Sequence, residues 1–184
     1  LAVEPQRLFA HLDDHRRRVH AHFSDLLAPV KENGVADPQA ETLKQLQGLW
    51  QGVTDKERQT DLLRRIGYQV PSEVLRQIAA LKEDRGLHAM SSVGRERVNR
   101  LVPMVLLAVG RAEQADLVLG RILDMIRSIQ QRTSYLALLL KNPSILTHLV
   151  QLAGASPWIA TFLGRHPVLL DELLDPRTLY RPPR

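Results

Sequence analysis

Residues 113–132 read EQADLVLGRILDMIRSIQQR. Apolar side chains return every three or four positions from Leu119 through Ile122, Ile126 and Ile129, with Leu117 ahead of them. That spacing places a stripe on one side of an α-helix, and no strand-like alternation competes with it. The buried side is expected to consist of Leu117, Leu119, Ile122, Ile126 and Ile129.

The same period extends in both directions. Upstream, Ser92 opens a helix carrying Val98, Leu101, Val102, Val105 and Leu106, and Pro103 inside it is expected to kink or split it. Pro71 and Ser72 open another with Val74, Leu75, Ile78 and Leu81, and the polar, Gly86-containing run from Lys82 to Met90 reads as a loop. Thr54 with Glu57 three residues on fits a capping box for a helix with Leu62, Leu63 and Ile66, stopped by Gly67. Before it, Asp37-Pro38 starts a helix with Leu43, Leu46, Leu49 and Trp50, ended by Gly52. Leu8, Leu12, Val19, Phe23, Leu26 and Val30 form a stripe on a long first helix that ends near Pro29, and Asn33-Gly34 breaks the chain after it.

Downstream the rhythm shortens. Four short helices are expected over 134–140, 144–152, 157–163 and 167–174. Prolines at 143, 157, 167 and 176 punctuate them, because the residue before a proline avoids helical geometry. The fold class is all-α: an irregular multi-helix bundle with a long N-terminal helix and a cluster of short C-terminal helices, without a fixed repeat period.

Composition narrows the function. Hydrophobic residues are 44% of the chain, enough for a core. With no cysteine, disulfides and thiolate metal sites are excluded, which fits a reducing, cytoplasmic setting. No apolar run approaches the ~18 residues of a membrane span, so no membrane partner is expected. The net charge of +5 comes from 25 basic residues interleaved with 20 acidic ones, and aromatics are only 4%. Mixed faces with few stacking platforms argue against a nucleic-acid partner.

No reactive constellation emerges from the residue pattern. His11 and His15 share a helical face, but His22 lies two turns from His15, too far to complete a site for one ion. Adjacent Asp13 and Asp14 diverge by about 100° on a helix, as do Asp171 and Glu172, while Asp171 and Asp175 share a face as solvated residues commonly do. Arg16-Arg17-Arg18 reads as a solvated or interdomain face. No glycine-rich phosphate loop or nucleophile elbow occurs in the sequence. Trp50 and Trp158 read as core or interface anchors, and Tyr135 as a buried tyrosine with a satisfied hydroxyl. The expected catalytic, cofactor-binding and metal residues are therefore none.

One stretch carries a resemblance. From Arg132 to Tyr180 the order Arg132, Tyr135, Leu139, Asn142-Pro143, Leu149, Ser156-Pro157, His166-Pro167 and Leu170-Asp171-Glu172-Leu173-Leu174-Asp175-Pro176 closely resembles the helical stretch before the second catalytic domain of bacterial glutamine synthetase adenylyltransferases. His15-Arg16, Val19 and His22-Phe23 look like the last long helix of that family's first catalytic half. Leu49-Trp50 and the helix from Arg97 to Leu107 look like its middle region, and the likeness is looser between 31 and 90. The chain, starting at Leu1 and ending at Arg184, reads as a cut from a longer protein. The resemblance implies that residues 1–35 are the C-terminal helix of an upstream adenylyl-removing half. It implies that 36–184 are a central helical region leading into the adenylyltransferase domain.

The same resemblance has implications for function. The parent would use ATP and Mg²⁺ to attach AMP to a tyrosine of glutamine synthetase, and would remove it by phosphorolysis. Its partners would be the two flanking nucleotidyltransferase domains, glutamine synthetase and the PII signal protein, with glutamine and PII selecting the activity. The family's Gly-Ser turn followed by Asp-x-Asp is absent from these 184 residues, so this piece is expected to couple rather than catalyse. The alternative is a free-standing helical adaptor that binds a protein partner.

Overall fold

A computed structural model describes residues 38–173, apart from the side chains of 171 and 172. The chain divides into two compact units, Leu1–Ala40 and Glu41–Arg184. Of the first unit only the start of one helix falls within the described residues. The long N-terminal helix, His11, His15, His22, Asp13, Asp14, the Arg16–Arg18 cluster, the Asp37 cap and Asp175 lie outside them.

All secondary structure among the described residues is helical. In order the helices are α1 Pro38–Gln51, α2 Lys56–Ile66, α3 Pro71–Lys82, α4 Arg85–His88, α5 Ser92–Val109, α6 Ala115–Ile129, α7 Thr133–Lys141, α8 Pro143–Ala155, α9 Pro157–Arg165 and α10 Leu169–Glu172. The short C-terminal cluster expected from the prolines is α7 to α10. Pro143 and Pro157 sit in the first turns of α8 and α9, where the missing N–H costs nothing. Asn142 turns α7 and α8 by 102°. No single helix among the described residues is long and apolar enough to cross a membrane.

Residues 115–129 form α6, which packs against α3, α5, α7, α8 and α9. Its buried residues are Ala115, Val118, Leu119, Ile122, Leu123, Met125, Ile126 and Ile129. At 100° per residue they cover an arc of about 160°, far wider than the single stripe the spacing suggested. Leu117 is the exception to the expected buried side. It stands 48% exposed, because it lies roughly opposite Leu119, facing away from the core with Asp124.

Other expectations are corrected in the same way. α2 is capped by Asp55, whose carboxylate accepts from the Arg58 amide at 2.9 Å, and not by Thr54. Leu62 and Leu63 are buried in the core, as their spacing suggested. α5 runs unbroken through Pro103, which is itself buried. Residues 82–90 are not a plain loop: Asp84 caps α4, and Leu87 and Met90 are buried. Tyr135 is only half-buried. The fully buried tyrosine with a bonded hydroxyl is Tyr68, which donates to the Leu106 carbonyl at 3.0 Å.

Tyr68 follows a sharp turn. Gly67 has φ +120°, a conformation that side-chain-bearing residues rarely adopt, and a Cβ there would meet the Gly110 carbonyl oxygen at 2.0 Å. The ends of α2 and α5 therefore touch backbone to backbone.

Substitutions along α6 should separate the two faces. Leu117→Lys is expected to change stability by less than about 0.5 kcal/mol, whereas Ile126→Ala should cost about 2–5 kcal/mol. Urea unfolding monitored by circular dichroism checks both, and a large loss at Leu117 would contradict the exposed placement.

Candidate functional site

α6 is tied to the flanks of α3 at both of its own ends. At the front, the Asp116 carboxylate accepts from the Gln69 and Val70 amides, each at 3.0 Å, immediately before α3 begins. Asp116 sits in the first turn of α6, where the helix dipole favours a negative charge. Burial, and secondarily this carboxylate, push the Tyr68 hydroxyl well above its usual pKa, so it remains a donor to Leu106.

At the rear, the tie falls on the segment after α3. Gln130 follows α6 and is buried; its amide donates to Asp84 Oδ1 at 2.9 Å. The same oxygen accepts from the Gly86 and Leu87 amides at 2.8 and 3.3 Å, and the Gln131 amide donates to the Gly86 carbonyl at 2.9 Å. Arg127 Nε stands 4.0 Å from the other Asp84 oxygen. A Cβ at Gly86 would lie 1.9 Å from Gln130 Nε2 and 2.7 Å from its Cδ, so any side chain there would displace the Gln130 amide from Asp84. The Gln130 Oε1 is buried without a hydrogen-bond partner.

Between the two ties, α3 and α6 enclose a shallow cleft of about 250 Å³ lined by Arg76, Gln77, Ala80, Gly120, Leu123, Asp124 and Arg127. Its charges are already paired. Arg76 holds Glu73 through two bonds at 2.5 and 2.8 Å, and Arg127 bonds Asp124 at 2.5 Å. The Arg76 hydrogen bond, followed by one from Gln77, lowers the Glu73 carboxyl to about 2. This is a salt-bridged seam, with Glu73 held by Arg76 and Asp124 by Arg127.

Three of the seven histidines fall among the described residues: His88 is exposed at the end of α4, His166 is exposed just after α9, and His148 is half-buried in α8. Among the described residues no group of three or more His, Asp or Glu could hold a metal ion. Trp50 is in the core, donating to Asn99 Oδ1 at 2.9 Å with Lys82 Nζ 5.1 Å over its ring. Trp158 is not; it lies on the surface of α9. Sequence reasoning missed Asp84, Asp116 and Gln130. A D-x-G cap at Asp84 is visible in sequence, but its distant partner Gln130 is not.

No protein-family model matches the chain. Residues of the chain are 42% identical over 170 positions, 91% of it, to the bifunctional glutamine synthetase adenylyltransferase/adenylyl-removing enzyme of Thioalkalivibrio sulfidiphilus, of which they span 18%. The corresponding enzyme of Nitrosococcus oceani is 41% identical over 92% of the chain and 17% of its own length, and that of Pseudomonas putida is 36% identical over 91% and 17%. This chain is homologous to a segment of that enzyme. It spans less than a fifth of the relatives it matches.

Loss of the rear tie should be measurable. Removing Asp84 takes away a helix cap and leaves the buried Gln130 amide without its acceptor. Asp84→Ala should therefore cost about 2–3 kcal/mol. Hydrogen bonding from Gln130 is the largest cause that lowers the Asp84 pKa below its ordinary 3.8, with Gly86, Leu87 and Arg127 assisting. A depressed carboxyl contributes stability that is present above its unfolded value and lost as pH falls through the folded one. The gap between wild type and variant should thus be constant above pH ~5 and shrink below pH ~4. Urea titrations across that range check it; a gap that widens in acid would contradict the tie.

Proposed function

We propose that this chain is a non-catalytic helical segment of a bifunctional enzyme that adenylylates and deadenylylates glutamine synthetase. Its role is to couple regulatory input to two flanking nucleotidyltransferase domains. The observation that carries this reading is the 42% identity over 91% of the chain to such an enzyme, of which the chain spans 18%. The doubly tied α3–α6 pair supports the coupling part. A helix pinned at both ends moves as a unit, so a displacement at one end is passed to the other rather than absorbed.

On this reading residues 1–35 close the upstream adenylyl-removing half, and 36–184 lead into the adenylyltransferase half. ATP and Mg²⁺ serve the parent's flanking domains. The described residues offer no fitting metal site, and no step is assigned to either group in this chain. Glutamine and PII act on the parent by shifting it between two arrangements, which requires that each bind one arrangement better than the other. The parent works in the cytoplasm.

The test uses the full-length enzyme with three glycines inserted between Glu83 and Asp84, which uncouples α3 from the rear tie. Both basal activities should persist within about twofold, while the response of each to glutamine and PII should fall at least about tenfold, a loss of some 1.4 kcal/mol of coupling. Unchanged responses would count decisively against coupling through this segment.

A further inference from the structure

Residues 83–91 join α3 to α5 across the rear end of α6. The helix within them, α4, has four residues, a single turn that could not persist on its own. The polar anchors of the segment converge on one atom. Asp84 Oδ1 accepts from the Gly86 and Leu87 amides of its own segment and from Gln130 Nε2 beyond the end of α6. Arg127 Nε is 4.0 Å from the other oxygen of the same carboxylate. A shift of this one group therefore undoes the cap of α4 and the tie to α6 in a single step. The Gln131 amide on the Gly86 carbonyl, and Arg95 on the Met90 and His88 carbonyls, complete the seal. Beneath it lie two buried side chains, Leu87 and Met90.

The Gln130 amide is gripped from one side. No protein group donates to its Oε1, so the Asp84 bond is what orients it. The flanking elements have anchors of their own. α3 buries Val74, Ile78 and Leu81, and the Asp116 carboxylate holds the amides just ahead of it. α5 buries residues along its whole length, from Gly94 to Val109. A weakly held segment between firmly held neighbours is where local opening is cheapest.

We propose that residues 83–91 form a latch that opens and closes as one unit on the end of α6 while α3, α5 and α6 stay folded. Opening uncovers Leu87 and Met90, frees Gln130 and Gln131, and leaves the Asp116 tie at the front in place. A binding event that favours one state shifts the balance between the two. The latch follows from the contacts of this segment and does not depend on the proposed function.

Native-state hydrogen exchange of the full-length protein in dilute urea tests this, read at single amides by mass spectrometry with electron-transfer fragmentation. The amides of Gly86, Leu87, His88, Ala89 and Met90 are all bonded within the segment. They should share one opening constant, at least about tenfold larger than that of the buried amides of α6. It should depend little on urea, because a short opening exposes little surface, whereas exchange in α6 should respond steeply. Gln130→Ala should enlarge the constant of all five amides by a common factor of at least about fivefold. Five unrelated constants, or no response to Gln130→Ala, would mean independent fraying and overturn the latch. Exchange of these amides with the constant and urea dependence of α6 would mean that they open only with the whole structure, and would overturn it as well. Should Gln130→Ala fail to fold, the urea dependence of the wild type decides by itself.

Discussion

Burial of α6 organises the described helices. Eight of its residues are buried, and α3, α5, α7, α8 and α9 pack around it. Each fully buried aliphatic side chain is worth about 1.5–3 kcal/mol of transfer free energy, so this helix supplies a large share of the hydrophobic driving force. None of the surrounding helices could bury its own stripe as completely without it. The helices of nine residues, α7 and α9, are too short to persist alone in water and borrow their order from this contact.

Polar ties then fix where the neighbours sit around that hub. Hydrophobic burial is non-directional and would tolerate sliding of α3 along α6. Asp116 at one end and Gln130 with Gln131 at the other remove that freedom, because each bonds to backbone groups or to a capping carboxylate at a defined position. The contact of Gly67 with Gly110 does the same for α2 and α5, since only two glycines allow the backbones so close.

The homology and the architecture meet at this point. The chain matches less than a fifth of the length of its bifunctional relatives, and among the described residues no group of His, Asp and Glu could hold a metal ion. Trp158 of α9 is the most exposed large apolar side chain among the described residues of the C-terminal cluster, and α9 packs directly on α6.

The all-helical class was legible from residue order alone, because a period of three to four apolar residues is a property of neighbours along the chain. So were the start of α3 at Pro71, the stop at Gly67, and the breaks at Pro143 and Pro157, each a local backbone restriction of proline or glycine. The order of Pro-punctuated motifs after Arg132 pointed to the enzyme family for the same reason. Packing in three dimensions was needed to surround α6 with five other helices, to turn Leu117 out while Val118 and Leu123 face in, and to make Trp50 core and Trp158 surface. Those outcomes depend on which helices pack where. The Asp84–Gln130 pair, 46 residues apart, was equally invisible, since a hydrogen bond between distant residues leaves no periodic trace in the chain.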